Sequence, residues 1–151
     1  AIVTDRDIRR HAGAEIRTKV QAAMTETPLT VPPDMAVEDA TKLMLRDQIS
    51  GLPVVENGKL IGIITASDVL NAFLEMTGAT TPNSVRINLL PKDGGSLADA
   101  AKLIEENGGE VLGVGTHREP EQRKRGLFMR IRGLDAATAA IALRKNGYTV
   151  L

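Results

Sequence analysis

The feature that most constrains this chain is a repeat. Ile2-Val3-Thr4-Asp5-Arg6-Asp7-Ile8 matches Ile63-Ile64-Thr65-Ala66-Ser67-Asp68-Val69 position by position in residue type, and the two threonines lie 61 residues apart. In each copy an apolar strand ends at Thr, a helix opens, and Asp follows three residues on. A single such turn has a structural explanation, because Thr at the N-cap and an acid three residues later form a capping box that satisfies backbone N–H groups left over at the helix start. The same geometry also presents a hydroxyl and a carboxylate at the positive end of a helix. There the carboxylate accepts both hydroxyls of a ribose and nearby N–H groups face phosphate. Repetition favours binding in addition to capping.

Composition narrows the partners. Nineteen basic and nineteen acidic residues cancel, so no whole-molecule field recruits nucleic acid or an acidic membrane surface. Phe73, Phe128 and Tyr148 are the only aromatic residues. They are too few for the stacking platforms of single-stranded nucleic acid, and a bound base must be held between aliphatic groups. The absence of cysteine excludes disulfides, thiolate metal sites and cysteine nucleophiles and suits a cytoplasmic location. His11 and His117 are far apart in sequence, and no metal site is expected. No apolar run approaches a membrane span, and nothing resembles a signal peptide. The chain offers neither a nucleophile with base and orienting group nor a Gly-rich phosphate loop with its lysine, so a non-enzyme without a cofactor is expected.

Periodicity then lays out the elements. Ala1 to Thr4 reads as the end of a strand already under way, followed by a short helix over Asp5 to His11 and a brief one over Lys19 to Met24. Thr25 to Pro33 runs extended. Val37, Ala40, Thr41 and Met44 predict an amphipathic helix over 36–47, opening after Asp34. Leu52-Pro-Val-Val and Leu60-Ile-Gly-Ile-Ile flank Asn57-Gly58, the strongest short hairpin signal, and a helix follows over Ala66 to Leu74. Residues 78–84, small and polar with a proline, read as a linker. Beyond it come a strand (85–90), a helix capped by Ser96, a strand (111–115), a charged loop over Arg118 to Arg125, a strand (126–131), a helix (134–145) and a last strand from Tyr148. That order, β-α-β-β-α-β, places two helices on one face of a four-stranded antiparallel sheet.

Met24-Thr-Glu-Thr-Pro-Leu-Thr-Val, the helix at 36–47, Ser50-Gly-Leu-Pro-Val-Val and Gly62-Ile-Ile-Thr-Ala-Ser-Asp together resemble a complete CBS module. Ala1 to Arg10 is similar to the last strand and helix of a preceding one, of which roughly forty residues are absent by the repeat spacing. The resemblance implies an α/β (α+β) fold divided into the end of a first CBS module (1–14), a second module (15–77), a linker (78–84) and a C-terminal domain (85–151).

It also implies adenosine-type ligands of the AMP, ADP, ATP or S-adenosylmethionine class between paired modules. Thr65, Asp68, Thr4 and Asp7 would then meet ribose, and Thr27, Pro28 and Leu29 the adenine edge. Leu52, Pro53 and Val54 would line the adenine face, although core strand explains Leu52 and Val54 equally well. Phosphate-binding relatives often carry His or Arg just before Leu-Pro, where this chain has Ser50 and Gly51. Arg6, or Arg9 and Arg10, would supply the missing charge.

Residues 85–151, with Asp93-Gly94-Gly95-Ser96-Leu97, resemble an ACT domain of ferredoxin-like form, in which that turn binds an amino acid or the domain mediates pairing. Gly94 stands where the family often has Pro, and dimer contact is the favoured role. Altogether the chain resembles CBS-CBS-ACT acetoin-utilisation regulators: a regulatory homodimer sensing an adenosyl ligand. The alternatives are a scaffold for a metabolic enzyme, or the regulatory piece of a larger enzyme.

Overall fold

The computed structural model describes residues 1–11, 13, 19–91, 96–118 and 125–151. The chain divides into two compact units, Ala1–Leu70 and Asn71–Leu151, and the architecture is mixed α/β.

In the first unit, α1 (Asp5–Arg10) precedes a 3-10 turn (Val20–Ala22), α2 (Val37–Asp47), β1 (Gly51–Glu56) and β2 (Lys59–Thr65). Helix α3 (Ala66–Met76) runs on across the division. The hairpin turns through Asn57 and Gly58 at φ of 50° and 75°, the left-handed pair that a two-residue type I′ turn demands. Strands have a side-chain period of two, so β1 and β2 each present two faces. Leu52, Val54 and Ile64 pack with Val31, Ala40 and Met44 against α2, while Gly51, Pro53, Ile63 and Thr65, opposed in register, occupy the other face. Two short bridges complete the unit. Ile2 and Thr25 exchange backbone bonds of 3.0 and 2.8 Å, and Val31 joins β1 through Pro53 and Val55.

Helix α2 corrects one expectation. Its N-cap is Ala36, without a side-chain cap, rather than Asp34, and its amphipathic face suffices to hold it. It stops at Gln48, which adopts the left-handed conformation with φ 53°.

In the second unit the order is β3 (Val85–Leu90), α4 (Leu97–Glu106), β4 (Glu110–Arg118), β5 (Arg125–Arg132), α5 (Ala136–Lys145) and β6 (Thr149–Val150). The strands lie β4-β5-β3-β6, every pair antiparallel. Ile87, Leu89, Leu127, Met129 and Ile131 turn to one face, where Ala100 and Ile104 of α4 and Ala139 and Leu143 of α5 close the core. The segment expected as an open linker, 78–84, is instead a hydrogen-bonded turn belonging to this unit. Gly78, at φ 67°, is buried so closely that a Cβ would meet Leu112 at 2.7 Å, and Gly113 lets the Thr77 backbone lie directly on β4. The turn at 92–95 and the charged loop at 119–124 lie outside the described residues.

Candidate functional site

Each Thr-x-x-Asp turn closes as a complete box. At α1 the Thr4 hydroxyl donates to Asp7 Oδ2 at 2.6 Å, the Thr4 N–H donates to the same oxygen at 2.9 Å, and the Asp7 N–H donates back to Thr4 Oγ1 at 3.4 Å. At α3 the corresponding distances between Thr65 and Asp68 are 2.6, 2.8 and 3.3 Å. Hydrogen bonds from the Thr4 hydroxyl and then its N–H hold the Asp7 carboxyl below the usual carboxylate range, with Arg10 and Arg6 adding attraction. The Thr65 hydroxyl and N–H do the same for Asp68.

Only one of the two boxes faces a cavity wholly. A cleft of about 750 Å³ opens in the first unit, within the size range of small-molecule sites. Thr4, Asp5, Arg6, Asp7 and Arg10 form one wall. Thr25, Pro28 and Leu29 form a second, the stretch from Asp47 to Gly51 a third, and Pro53, Ile63 and Thr65 the floor. The strand period explains this floor: those residues are on the hairpin face opposite α2.

The charges in the walls sort themselves. Asp5 is engaged by Arg9 at 2.8 Å. Asp47 is engaged twice by Arg46, at 2.7 and 3.0 Å, which lowers its pKa. Arg6 and Arg10, one helical turn apart on α1, face the cleft beside Asp7. The cleft therefore offers a carboxylate ringed by hydroxyls of Thr4, Thr25, Ser50 and Thr65, two guanidinium groups, and apolar surface from Pro28, Leu29, Pro53 and Ile63.

Of the residues expected from sequence, Thr4, Arg6, Asp7, Pro28, Leu29, Pro53 and Thr65 line this cleft. Asp68, Thr27, Leu52 and Val54 do not. Leu52 is wholly buried and Val54 packs beside it, both on the α2 side of the hairpin, because an odd-even step along β1 sends them away from Pro53. Sequence reasoning passed over Asp47, Gln48 and Ile49. Their signal was the polar break between an amphipathic helix and an apolar run, which marks a helix end. In the second unit Ser96 caps α4 together with Asp99, and Leu97 packs against the core. Asp93, Gly94 and Gly95, the rest of the expected amino-acid site, lie outside the described residues. Among the described residues no group of three His, Asp or Glu side chains gathers that could hold a metal ion, and no helix is long and apolar enough to cross a membrane.

Residues 19–75 match the family model described as CBS domain. A protein of uncharacterised role from Methanocaldococcus jannaschii is 43% identical over 60 residues, covering 39% of this chain and 36% of that protein. Inosine-5'-monophosphate dehydrogenase of Korarchaeum cryptofilum is 44% identical over 69 residues, covering 45% of this chain and 14% of the enzyme. A CBS domain-containing protein of Dictyostelium discoideum is 32% identical over 97 residues, covering 55% of this chain and 67% of that protein. The chain thus spans about a third of the first relative's length and far less of the dehydrogenase's.

Proposed function

The chain belongs to the CBS-domain proteins, and from that premise we propose that it is a non-catalytic regulator that senses an adenosyl ligand in the cleft of its first unit. The observation that carries the reading is the joining, in one cavity, of the Thr4–Asp7 box, Arg6 and Arg10, and the apolar surface of Pro28, Leu29 and Pro53. Two of the three bonds of the box end on Asp7 Oδ2, the third being the Asp7 N–H to Thr4 Oγ1, and Oδ1 is the oxygen a ribose diol would meet. Aliphatic walls take the base, as an aromatic-poor chain requires. Arg6 and Arg10 supply the charge that Ser50 and Gly51 do not, which favours a nucleoside phosphate over S-adenosylmethionine.

Thr65 lies in the same floor while Asp68 does not line the cleft, and another module would complete a second site around it. Leu60, Ile61 and Leu70 are exposed by 70, 53 and 63% and suit burial by a second module or a second copy of the chain. The second unit's sheet order supports the ACT-like reading, with pairing into a homodimer as its role. The match to a dehydrogenase favours one second reading, in which these residues regulate a larger enzyme.

Calorimetric titration of the full chain with AMP, ADP, ATP, S-adenosylmethionine and adenosine tests the proposal. Binding is expected, tightest for a phosphate-bearing compound and abolished or strongly weakened by Asp7→Ala. If no adenosyl compound binds, the sensing role is wrong and the scaffold alternative takes its place.

A further inference from the structure

The face of the second unit's sheet opposite α4 and α5 carries a feature that neither nucleotide sensing nor folding uses. On it, Arg86 of β3 and Arg130 of β5 stand directly opposite in the antiparallel register. Directly opposed side chains in such a pair have Cβ atoms about 5 Å apart, and like charges there are destabilising. Both side chains are nevertheless placed. The Arg86 guanidinium lies 4.4 Å from the centre of the Phe128 ring, and its Nε donates to Asn88 Oδ1 at 3.0 Å. Phe128 can lie there because its neighbour on β4 is Gly115, where a Cβ of any other residue would collide with the ring. The stem of Arg130 packs against Gly78. Glu110, which is on this face, is held by Arg132.

An aromatic ring, an amide and a glycine thus fix the Arg86 guanidinium at a strand position directly opposite Arg130. With Nε occupied, Arg86 presents its two terminal nitrogens, a fork whose geometry matches an oxyanion. The wider surroundings agree. Residues 71–151 hold eleven Arg and Lys against nine Asp and Glu, and residues 1–70 hold eight against ten, so the neutral chain is positive in the half that bears this pair.

We propose that Arg86 and Arg130, set by Phe128 and Asn88, form a second site that binds a small free oxyanion, a phosphate or carboxylate group, independently of the cleft in the first unit. The anion relieves the repulsion between the two arginines, which gives the site a signature that an ordinary surface patch lacks. Without an anion, Arg130→Gln, which keeps the packed stem and removes one charge, leaves the protein as thermostable as the wild type or more so. With phosphate the wild type gains stability and the variant does not.

The test uses the full chain with Arg6→Ala and Arg10→Ala introduced, so that phosphate cannot engage the first cleft. Inorganic phosphate and, separately, acetate are titrated at ionic strength held constant with sodium chloride, followed by side-chain and amide NMR signals of Arg86, Asn88 and Arg130. Saturable shifts with at least one of the two probes, weakened tenfold or more by Arg86→Gln, support the site, and the better probe identifies the class. Shifts that never saturate, shifts that survive in the Arg86→Gln, Arg130→Gln double variant, or an Arg130→Gln variant less stable than its parent without anion would overturn it. Failure of adenosyl binding in the first unit would leave each of these outcomes as informative as before.

Discussion

The Thr4–Asp7 turn of the first unit and the Ser96–Asp99 turn of the second are the same local structure in two different settings. In the second, the Ser96 hydroxyl donates to Asp99 Oδ2 at 2.7 Å, its N–H donates to that oxygen at 3.3 Å, and the Asp99 N–H returns a bond at 3.1 Å. The same three bonds join Thr4 and Asp7. What differs is what stands in front of the box. Thr4 and Asp7 open on a cleft of about 750 Å³ with two arginines on its wall, whereas Asp99 borders a hollow of about 280 Å³ with Lys102, Glu106 and Tyr148. The box is therefore a helix-capping device that any helix start can use, and the surroundings decide whether its carboxylate meets a ligand.

The largest expected effect separates the two turns. Asp7→Ala weakens the best adenosyl ligand roughly ten- to hundredfold, as loss of a charge-assisted hydrogen bond does, while Asp99→Ala leaves affinity unchanged, both by calorimetry. Equal loss in the two variants would mean that the turns act only through folding. A smaller effect sharpens the role of the arginines. Arg6→Ala and Arg10→Ala each reduce AMP affinity about tenfold or less and leave adenosine unaffected, since a point contact to phosphate is all that each removes.

Capping treats the turns alike. Thr65→Ala and Ser96→Ala each lower stability by about 1 kcal/mol in urea unfolding, the usual worth of an N-cap, and Ser96→Ala does not alter ligand affinity. The smallest effect is in acid. Because Asp7 and Asp68 have pKa values depressed by folding, their contribution is complete above the unfolded value near 4 and is lost as pH falls through the lower folded value. The stability gap between the wild type and Asp68→Asn should stay level from pH 8 to about 5 and close below about pH 4. A gap that closes near neutrality would contradict the hydrogen-bond assignment.

Much of this organisation was legible in the residues themselves, for identifiable reasons. Asn57-Gly58 between apolar runs fixed the hairpin, and Ser96 fixed the start of α4, because both signals are local and sterically narrow. The lining of the cleft was harder to read. Leu52 and Pro53 are adjacent and equally apolar, and only the pairing of β1 with β2 and α2 says which of them is core. Asp47 and Gln48 carry no motif, and they reach the cleft because α2 ends in a left-handed residue there. The stretch 78–84 has the composition of a linker, yet its packing rests on Gly78 lying close to Leu112 and on Gly113 lying close to Thr77, long-range approaches that no local pattern records. Segments near residues 4, 28, 48 and 65 build one cavity through tertiary structure alone.

The most direct test of the central claim is a residue-resolved NMR titration of the full chain with AMP. Saturable shifts concentrated at Thr4, Asp7, Thr25, Leu29 and Thr65, with Ser96 and Asp99 unmoved, are the predicted result. Shifts centred on Ser96 and Asp99, or none at Thr4 and Asp7 at saturating ligand, would contradict it.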